Sequence, residues 1–182
     1  MSRAILIGGG ARSGKSDLAL CLALAEPGRR VFLATATHTD AEMSDRIARH
    51  QADRGDRFET VEEPSLVPER VADLPADVLL VDCLTLWLTN LLMAELDDAA
   101  IEARIDDLVA ALDAPRALTL LVSNEVGLGI VPMNPLARRF RDLTGRAHQR
   151  LAARADEVYF GAMGLMMRLK PGPVEVAPRP GP

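Results

Sequence analysis

Short, continuously apolar runs alternate along this chain with longer stretches in which apolar residues recur every three or four positions. Ala4-Ile5-Leu6-Ile7, RVFLA at Arg30 to Ala34, VLLVD at Val78 to Asp82 and ALTLLV at Ala117 to Val122 are runs of the first kind. Such runs read as strands covered on both faces, as parallel sheets require. Asp17 to Ala25, with Leu18, Leu20, Leu22 and Leu24 among alanines, reads as a helix that Pro27-Gly28 ends. Thr39 and Glu42 stand at capping-box spacing and open a helix running to about Arg54, with Met43, Ile47 and His50 on one face. Phe58 to Val61 is a short extended piece broken by Glu62-Glu63-Pro64, after which Ser65 is expected to cap a helix carrying Leu66, Val67, Val71 and Leu74. Three further helices are expected over Leu84 to Leu96, Asp98 to Leu112 and Leu136 to Ala155, the last with Leu136, Phe140, Leu143, Ala147 and Leu151 as its buried stripe. Asp156 to Gly161 and Leu165 to Leu169 close the chain as a hairpin around Met163-Gly164. Strands alternating with helices in this way predict an α/β domain with a mostly parallel central sheet flanked by helices.

The first strand runs into Gly9-Gly10-Ala11-Arg12-Ser13-Gly14-Lys15-Ser16, and a helical pattern follows. This is G-x-x-x-x-G-K-[ST] in the strand-loop-helix setting that a phosphate loop needs. Its glycines let the backbone curl until successive N–H groups point at an anion, and the helix adds the positive end of its dipole. Lys15 is expected to reach the β- and γ-phosphates of a nucleotide, and the Ser16 hydroxyl to take a position on Mg²⁺. Asp82 ends a buried strand, which delivers its carboxylate to the sheet edge beside that loop as a second Mg²⁺ partner. The loop after Val122, opening with Ser123-Asn124-Glu125, leaves a strand on the same side; Asn124 and Glu125 suit either a ligand contact or a turn and cap.

A chain of 182 residues, 48% hydrophobic and 26% charged, is a single globular domain in size and composition. The expected boundaries are residues 1–170 for the nucleotide-binding domain and 171–182 for a loose tail rich in Pro and Gly. A net charge of −5 and 3% aromatic residues argue against a nucleic-acid surface. No run reaches the length of a membrane span, and Met1-Ser2-Arg3 leads directly into a strand, so a cytoplasmic protein is expected. Cys21 and Cys83 form no metal or disulfide pattern and are expected to be small buried residues. Arginines concentrate from Arg46 to Arg57 and from Arg138 to Arg150, facing either phosphates or solvent. The Trp87 and Leu91 stripe suits the core or a subunit interface.

Several stretches together resemble the bifunctional adenosylcobinamide kinase and adenosylcobinamide-phosphate guanylyltransferase family of cobalamin biosynthesis. They are GGARSGKS at Gly9 to Ser16, ATAT at Ala34 to Thr37, EMSDRIARHQADR at Glu42 to Arg54, VDCLTLWLTNLL at Val81 to Leu92, VSNEVGLGIVP ending at Pro132, and ARRFRDLTGRAHQRLAARADEVY at Ala137 to Tyr159. The resemblance implies a single P-loop, RecA-like domain, often a trimer. It implies phosphorylation of adenosylcobinamide by a nucleoside triphosphate, ATP or GTP, and then GMP transfer from GTP through a guanylylated histidine, giving adenosylcobinamide-GDP and pyrophosphate. The histidine of R-I-x-x-H is His50, and nucleotide contacts are carried over to Ala34, Thr35, Ala36, Gln51, Ala52, Asp53, Arg54 and Glu62. Some members have two adjacent histidines there, whereas Arg49 precedes His50 here. The tail has no counterpart in the resemblance.

Two other readings are compatible with the loop, a single-activity P-loop kinase or ATPase with a structural His50, and a nucleotide-switched regulator. A switch has no need of a histidine flanked by Arg46 and Arg54 at one-turn spacings. Cations at those spacings disfavour imidazolium and keep the ring nucleophilic near neutral pH. His38 and His148 are the remaining histidines of the chain.

Overall fold

The computed structural model describes residues 2–37 and 55–177. The expected helix opened by Thr39 and Glu42, with Met43, Ile47 and His50, lies outside the described residues. Eight strands form one sheet: β1 (Arg3–Gly9), β2 (Arg30–Ala34), β3 (Glu59–Glu62), β4 (Val78–Asp82), β5 (Leu118–Val122), β6 (Glu157–Ala162), β7 (Leu165–Lys170) and β8 (Glu175–Ala177). They stand in the order β3-β2-β4-β5-β1-β6-β7-β8. From β3 to β6 every neighbouring pair is parallel, and the β6–β7 and β7–β8 pairs are antiparallel. The described helices are α1 (Lys15–Ala25), α2 (Val67–Asp73), α3 (Leu84–Met93), α4 (Asp98–Ala111) and α5 (Pro135–Arg154). This is the expected parallel-sheet architecture.

The central strands are apolar throughout because each face is covered. Along β1, Ala4 and Leu6 join one core while Ile5 and Ile7 join the other, the period-two alternation of a strand. The larger core packs α2 to α5 on one face, through Val71, Trp87, Ile101, Ile105, Leu143 and Leu151. Leu18, Ala19 and Ala23 of α1 pack on the opposite face with Phe32 and Phe58. Trp87 is fully buried and its indole N–H donates to the Ser65 carbonyl at 3.0 Å. Leu91 is buried too, so this stripe is core and not the subunit interface that the sequence left open.

Four further expectations are corrected. Ser65 does not cap α2; the Glu63 carboxylate accepts the Ser65 and Leu66 N–H groups at 3.1 and 2.9 Å. Burial works against the Glu63 carboxylate, but those N–H groups and Arg70 outweigh it and leave its pKa below the usual range. Cys21 is exposed, because it falls on the outer side of α1; Cys83 is buried. In the segment expected to be a loose tail, Glu175–Ala177 pairs with β7 because that outermost hairpin strand offers an open row of backbone groups. Four arginines of α5, Arg139, Arg146, Arg150 and Arg154, pair at the surface with the acidic side of α4, while Arg138 and Arg141 donate to the Pro132, Met133 and Gly127 carbonyls. Arg139 meets Asp98 at 2.5 Å, Arg146 meets Glu102, Arg150 meets Glu102 at 2.6 Å and Asp106 at 3.1 Å, and Arg154 meets Asp113 at 2.5 Å. Such surface pairs align two helices more than they stabilise them.

Trp87→Ala removes the largest fully buried side chain and leaves the Ser65 carbonyl without its donor. Urea denaturation is expected to show a loss of about 3–5 kcal/mol, and a loss under about 1 kcal/mol would contradict the core placement.

Candidate functional site

The parallel register sets one row of residues along the carboxyl edge of the sheet: Glu62, Ala34, Asp82, Val122, Ile7 and Tyr159. In parallel α/β sheets this edge is where ligands bind. β1 leaves the row through Gly9, whose φ of 142° and contact with β6 exclude a side chain: a Cβ there would lie 2.3 Å from the Gly161 carbonyl oxygen. The chain turns back at Gly14 (φ 90°) and enters α1 at Lys15 with no side chain capping the helix start. The first N–H groups of α1 therefore face the loop, an arrangement suited to an anion.

Lys15 is buried, and its ammonium bends back to donate to the Gly10 carbonyl at 2.5 Å and toward Ser13 Oγ at 3.5 Å. The Ser16 hydroxyl donates to Asp82 Oδ2 at 3.4 Å, so the two residues expected to share a cation do meet, across β4, β5 and β1. Two hard oxygens at one point fit Mg²⁺, which keeps waters and takes phosphate oxygens for its other positions. Among the described residues no group of three or more His, Cys, Asp or Glu could hold a metal by itself.

The carried-over nucleotide contacts fall into three sets. Thr35 is fully buried; its hydroxyl donates to the Cys83 carbonyl at 2.8 Å and accepts the Cys83 N–H at 2.9 Å, and its own N–H donates to the Asp82 carbonyl at 3.3 Å. Its side chain is thus turned toward protein, where it fixes the end of the strand carrying Asp82. Ala34 and Ala36 lie half-buried beside it. Glu62 is exposed at the end of β3, two strand spacings or about 10 Å from Asp82. His50, Gln51, Ala52, Asp53 and Arg54 lie outside the described residues, as does His38.

Among the residues that brace this edge, the sequence singles out Asn124 by its place after β5 but gives no local signal for Asn90. Asn90 on α3 donates to the Thr35 and Pro64 carbonyls, both at 2.9 Å, and Asn124 donates to Thr85 Oγ1 at 3.2 Å. Burial and the neighbouring Asp82 charge push the Cys83 thiol up, which makes it a poor nucleophile. After β5 the backbone runs along the end of β1, with Ser123 N donating to the Ile7 carbonyl at 3.0 Å and Glu125 N to the Gly9 carbonyl at 2.9 Å. Beyond it Leu128, Ile130, Val131 and Met133 stand exposed. An open cavity of about 360 Å³ lies on the other flank of the loop, between residues 10–13, Leu128 and the β6–β7 turn. No described helix is long and apolar enough to cross a membrane.

Solved structures share this architecture at low identity. The flagellar accessory protein FlaH from Methanocaldococcus jannaschii superposes with a TM-score of 0.51 at 14% identity, over 98% of this chain and 79% of that one. A prototypical ATPase from the type III secretion system of pathogenic bacteria gives a TM-score of 0.55 at 13% identity, over 90% and 52%. These likenesses establish a RecA-like P-loop fold. In sequence, the bifunctional adenosylcobalamin biosynthesis protein CobP of Pseudomonas aeruginosa is 46% identical, over 93% of this chain and 98% of that protein. CobU of Salmonella typhimurium, described in the same terms, is 43% identical over 91% and 99%. The family model for cobinamide kinase / cobinamide phosphate guanyltransferase matches residues 5–169. With a phosphate loop facing an acidic strand end, and with that match over nearly its whole length, the chain belongs to the cobinamide kinase / cobinamide phosphate guanyltransferase family.

Proposed function

We propose that the family's two transfers, phosphorylation and guanylyl transfer, both use the sheet edge at the phosphate loop. The observation that carries this reading is the meeting of Ser16 and Asp82 beside the buried Lys15. In the first transfer, the loop N–H groups and the start of α1 hold the β- and γ-phosphates of ATP or GTP. Lys15 exchanges the Gly10 carbonyl for phosphate oxygens, so its charge meets the transferring group without a large movement. Ser16 and Asp82 hold Mg²⁺, which when bound offsets the charge on the phosphates. The aminopropanol hydroxyl of adenosylcobinamide takes the γ-phosphoryl group, and the nucleoside diphosphate leaves.

The second transfer brings two anions together, which a neutral nucleophile on the protein eases by dividing the reaction in two. Here the His50 imidazole attacks the α-phosphorus of GTP and releases pyrophosphate; the phosphate of adenosylcobinamide phosphate then displaces the imidazole and takes GMP. Support comes from the R-I-x-x-H resemblance and from His148, the one histidine among the described residues, whose ring is engaged by Ser123 and Glu125. Ala34, Ala36, Glu62 and the segment Gln51-Ala52-Asp53-Arg54 complete the proposed nucleotide contacts. A trimer and a cytoplasmic location belong to the same proposal.

Lys15→Ala is expected to lower corrinoid phosphorylation about 10²-fold or more while circular dichroism stays that of the parent. Turnover near the parent's would refute the loop assignment. Asp82→Asn should weaken Mg²⁺-dependent turnover more than metal-free nucleotide binding, and an unchanged Mg²⁺ titration would remove Asp82 from the metal site. With GTP labelled at the α-phosphate, label is expected to remain on the denatured protein through base and to leave in acid, as a phosphoramidate does. His50→Ala should abolish that label and keep corrinoid phosphorylation measurable; label persisting in His50→Ala would place the intermediate on another residue.

A further inference from the structure

The reading of the 9–16 segment as a phosphate loop leaves one cluster of polar side chains without a task, and it lies directly behind that loop. Ser123, at the tip of β5, is fully buried, and its Oγ lies 2.7 Å from Nε2 of His148 on α5. The other ring nitrogen, Nδ1, faces the Glu125 carboxylate at 3.5 Å. A neutral ring protonated at Nδ1 satisfies both contacts, accepting the Ser123 O–H at Nε2 and donating to Glu125. Burial supports that state by holding the imidazole pKa below the usual histidine range, a tendency that Glu125 only partly opposes.

The Glu125 carboxylate also accepts the Gly127 N–H, and Arg141, two turns before His148 on α5, donates to the Gly127 carbonyl at 2.6 Å. The turn from Ser123 to Gly127 is therefore held from below at both ends. Its upper side meets the phosphate loop, where Glu125 N donates to the Gly9 carbonyl. The N–H of that same peptide, Gly10 N, donates to the Gly161 carbonyl at 3.3 Å, and the carbonyl of the following peptide, Gly10 O, receives the Lys15 ammonium. A continuous series of bonds thus leads from His148 through Glu125 and Gly9 to Gly10 and Lys15.

We propose that His148 is a positioning residue for phosphoryl transfer, which through Ser123 and Glu125 fixes the entry of the phosphate loop and the starting place of Lys15. In this role it acts through those residues and not on the substrate. Its effect is on the alignment of groups that contact the transferring phosphoryl, where small displacements cost rate more than binding.

The test compares steady-state corrinoid phosphorylation and thermal melting in the full chain for His148→Leu, His148→Gln and Ser123→Ala, with Lys15→Ala alongside. His148→Leu fills the space but makes neither bond, and is expected to lower kcat about tenfold or more, with KM for the corrinoid changing less than about twofold. His148→Gln can again donate to Glu125 and accept from Ser123, and is expected to recover most of the rate. Ser123→Ala deletes one bond and should fall between, which preserves the comparison if His148→Leu does not fold. In ¹⁵N–¹H spectra of the parent, the ring signals that vanish in His148→Gln are expected to be those of the Nδ1-protonated neutral tautomer. Parental kcat in both His148→Leu and Ser123→Ala, or rate losses that track melting temperature with no recovery in His148→Gln, would overturn the proposal. If those variants are unimpaired while Lys15→Ala is inactive, only the positioning role fails. Parental turnover in Lys15→Ala would instead remove the phosphate-loop reading on which it rests.

Discussion

The backbones of β1 and β6 approach each other at Gly9 and Gly161 more closely than any side chain permits. A Cβ on Gly9 would meet the Gly161 carbonyl oxygen at 2.3 Å, and one on Gly161 would meet Ser13 Oγ at 2.7 Å and Met166 Sδ at 2.9 Å. Because of this contact the loop begins its turn pressed against the closing hairpin, and the Gly9 carbonyl is left pointing to the Glu125 N–H on the other side. Glycine at 9 therefore has a second reason beyond its φ of 142°. The loop is thus wedged between two strand tips.

That wedge is one link in a row of bonds that runs along the sheet edge past the ends of the strands. Glu63 N donates to the Ala34 carbonyl, Thr35 N to the Asp82 carbonyl, Ser123 N to the Ile7 carbonyl and Gly10 N to the Gly161 carbonyl. Thr35 adds two bonds to the Cys83 peptide, and Asn90 holds the Thr35 carbonyl from α3. The groups that must meet a highly charged transition state are thereby fixed before it forms, and preorganised dipoles and charges of this kind are the largest source of rate in phosphoryl transfer.

The helices on the larger core serve the same edge. α5 is anchored along α4 by Arg139, Arg146, Arg150 and Arg154, and by the Leu143, Ala147 and Leu151 stripe against the sheet. The pairs are exposed enough for water and salt to screen them, so burial supplies the stability and the charges supply alignment. Alignment is what His148 and Arg141 need, since a slide of α5 by one residue would shift them by about 1.5 Å from the turn they hold.

The sequence by itself determined the central strands and their cover, because strands buried on both faces must be apolar without interruption: RVFLA and VLLVD are β2 and β4 to the residue. It also determined the phosphate loop, because few sequences give glycines, a lysine and a hydroxyl at the spacing that anion binding requires. What it left open were contacts between residues far apart in the chain. Composition cannot say that four arginines of α5 answer the acids of α4, that Thr35 is turned into protein, or that Glu63 caps α2 in place of Ser65. A lone histidine in a basic helix carries no local sign of its partners. Only the crossing of α5 beneath β5 brings His148 to Ser123 and Glu125, and only the strand order β4-β5-β1 brings Asp82 to Ser16. Periodicity is a local property that packing against one's own neighbours enforces, whereas these pairings exist only after the sheet has assembled.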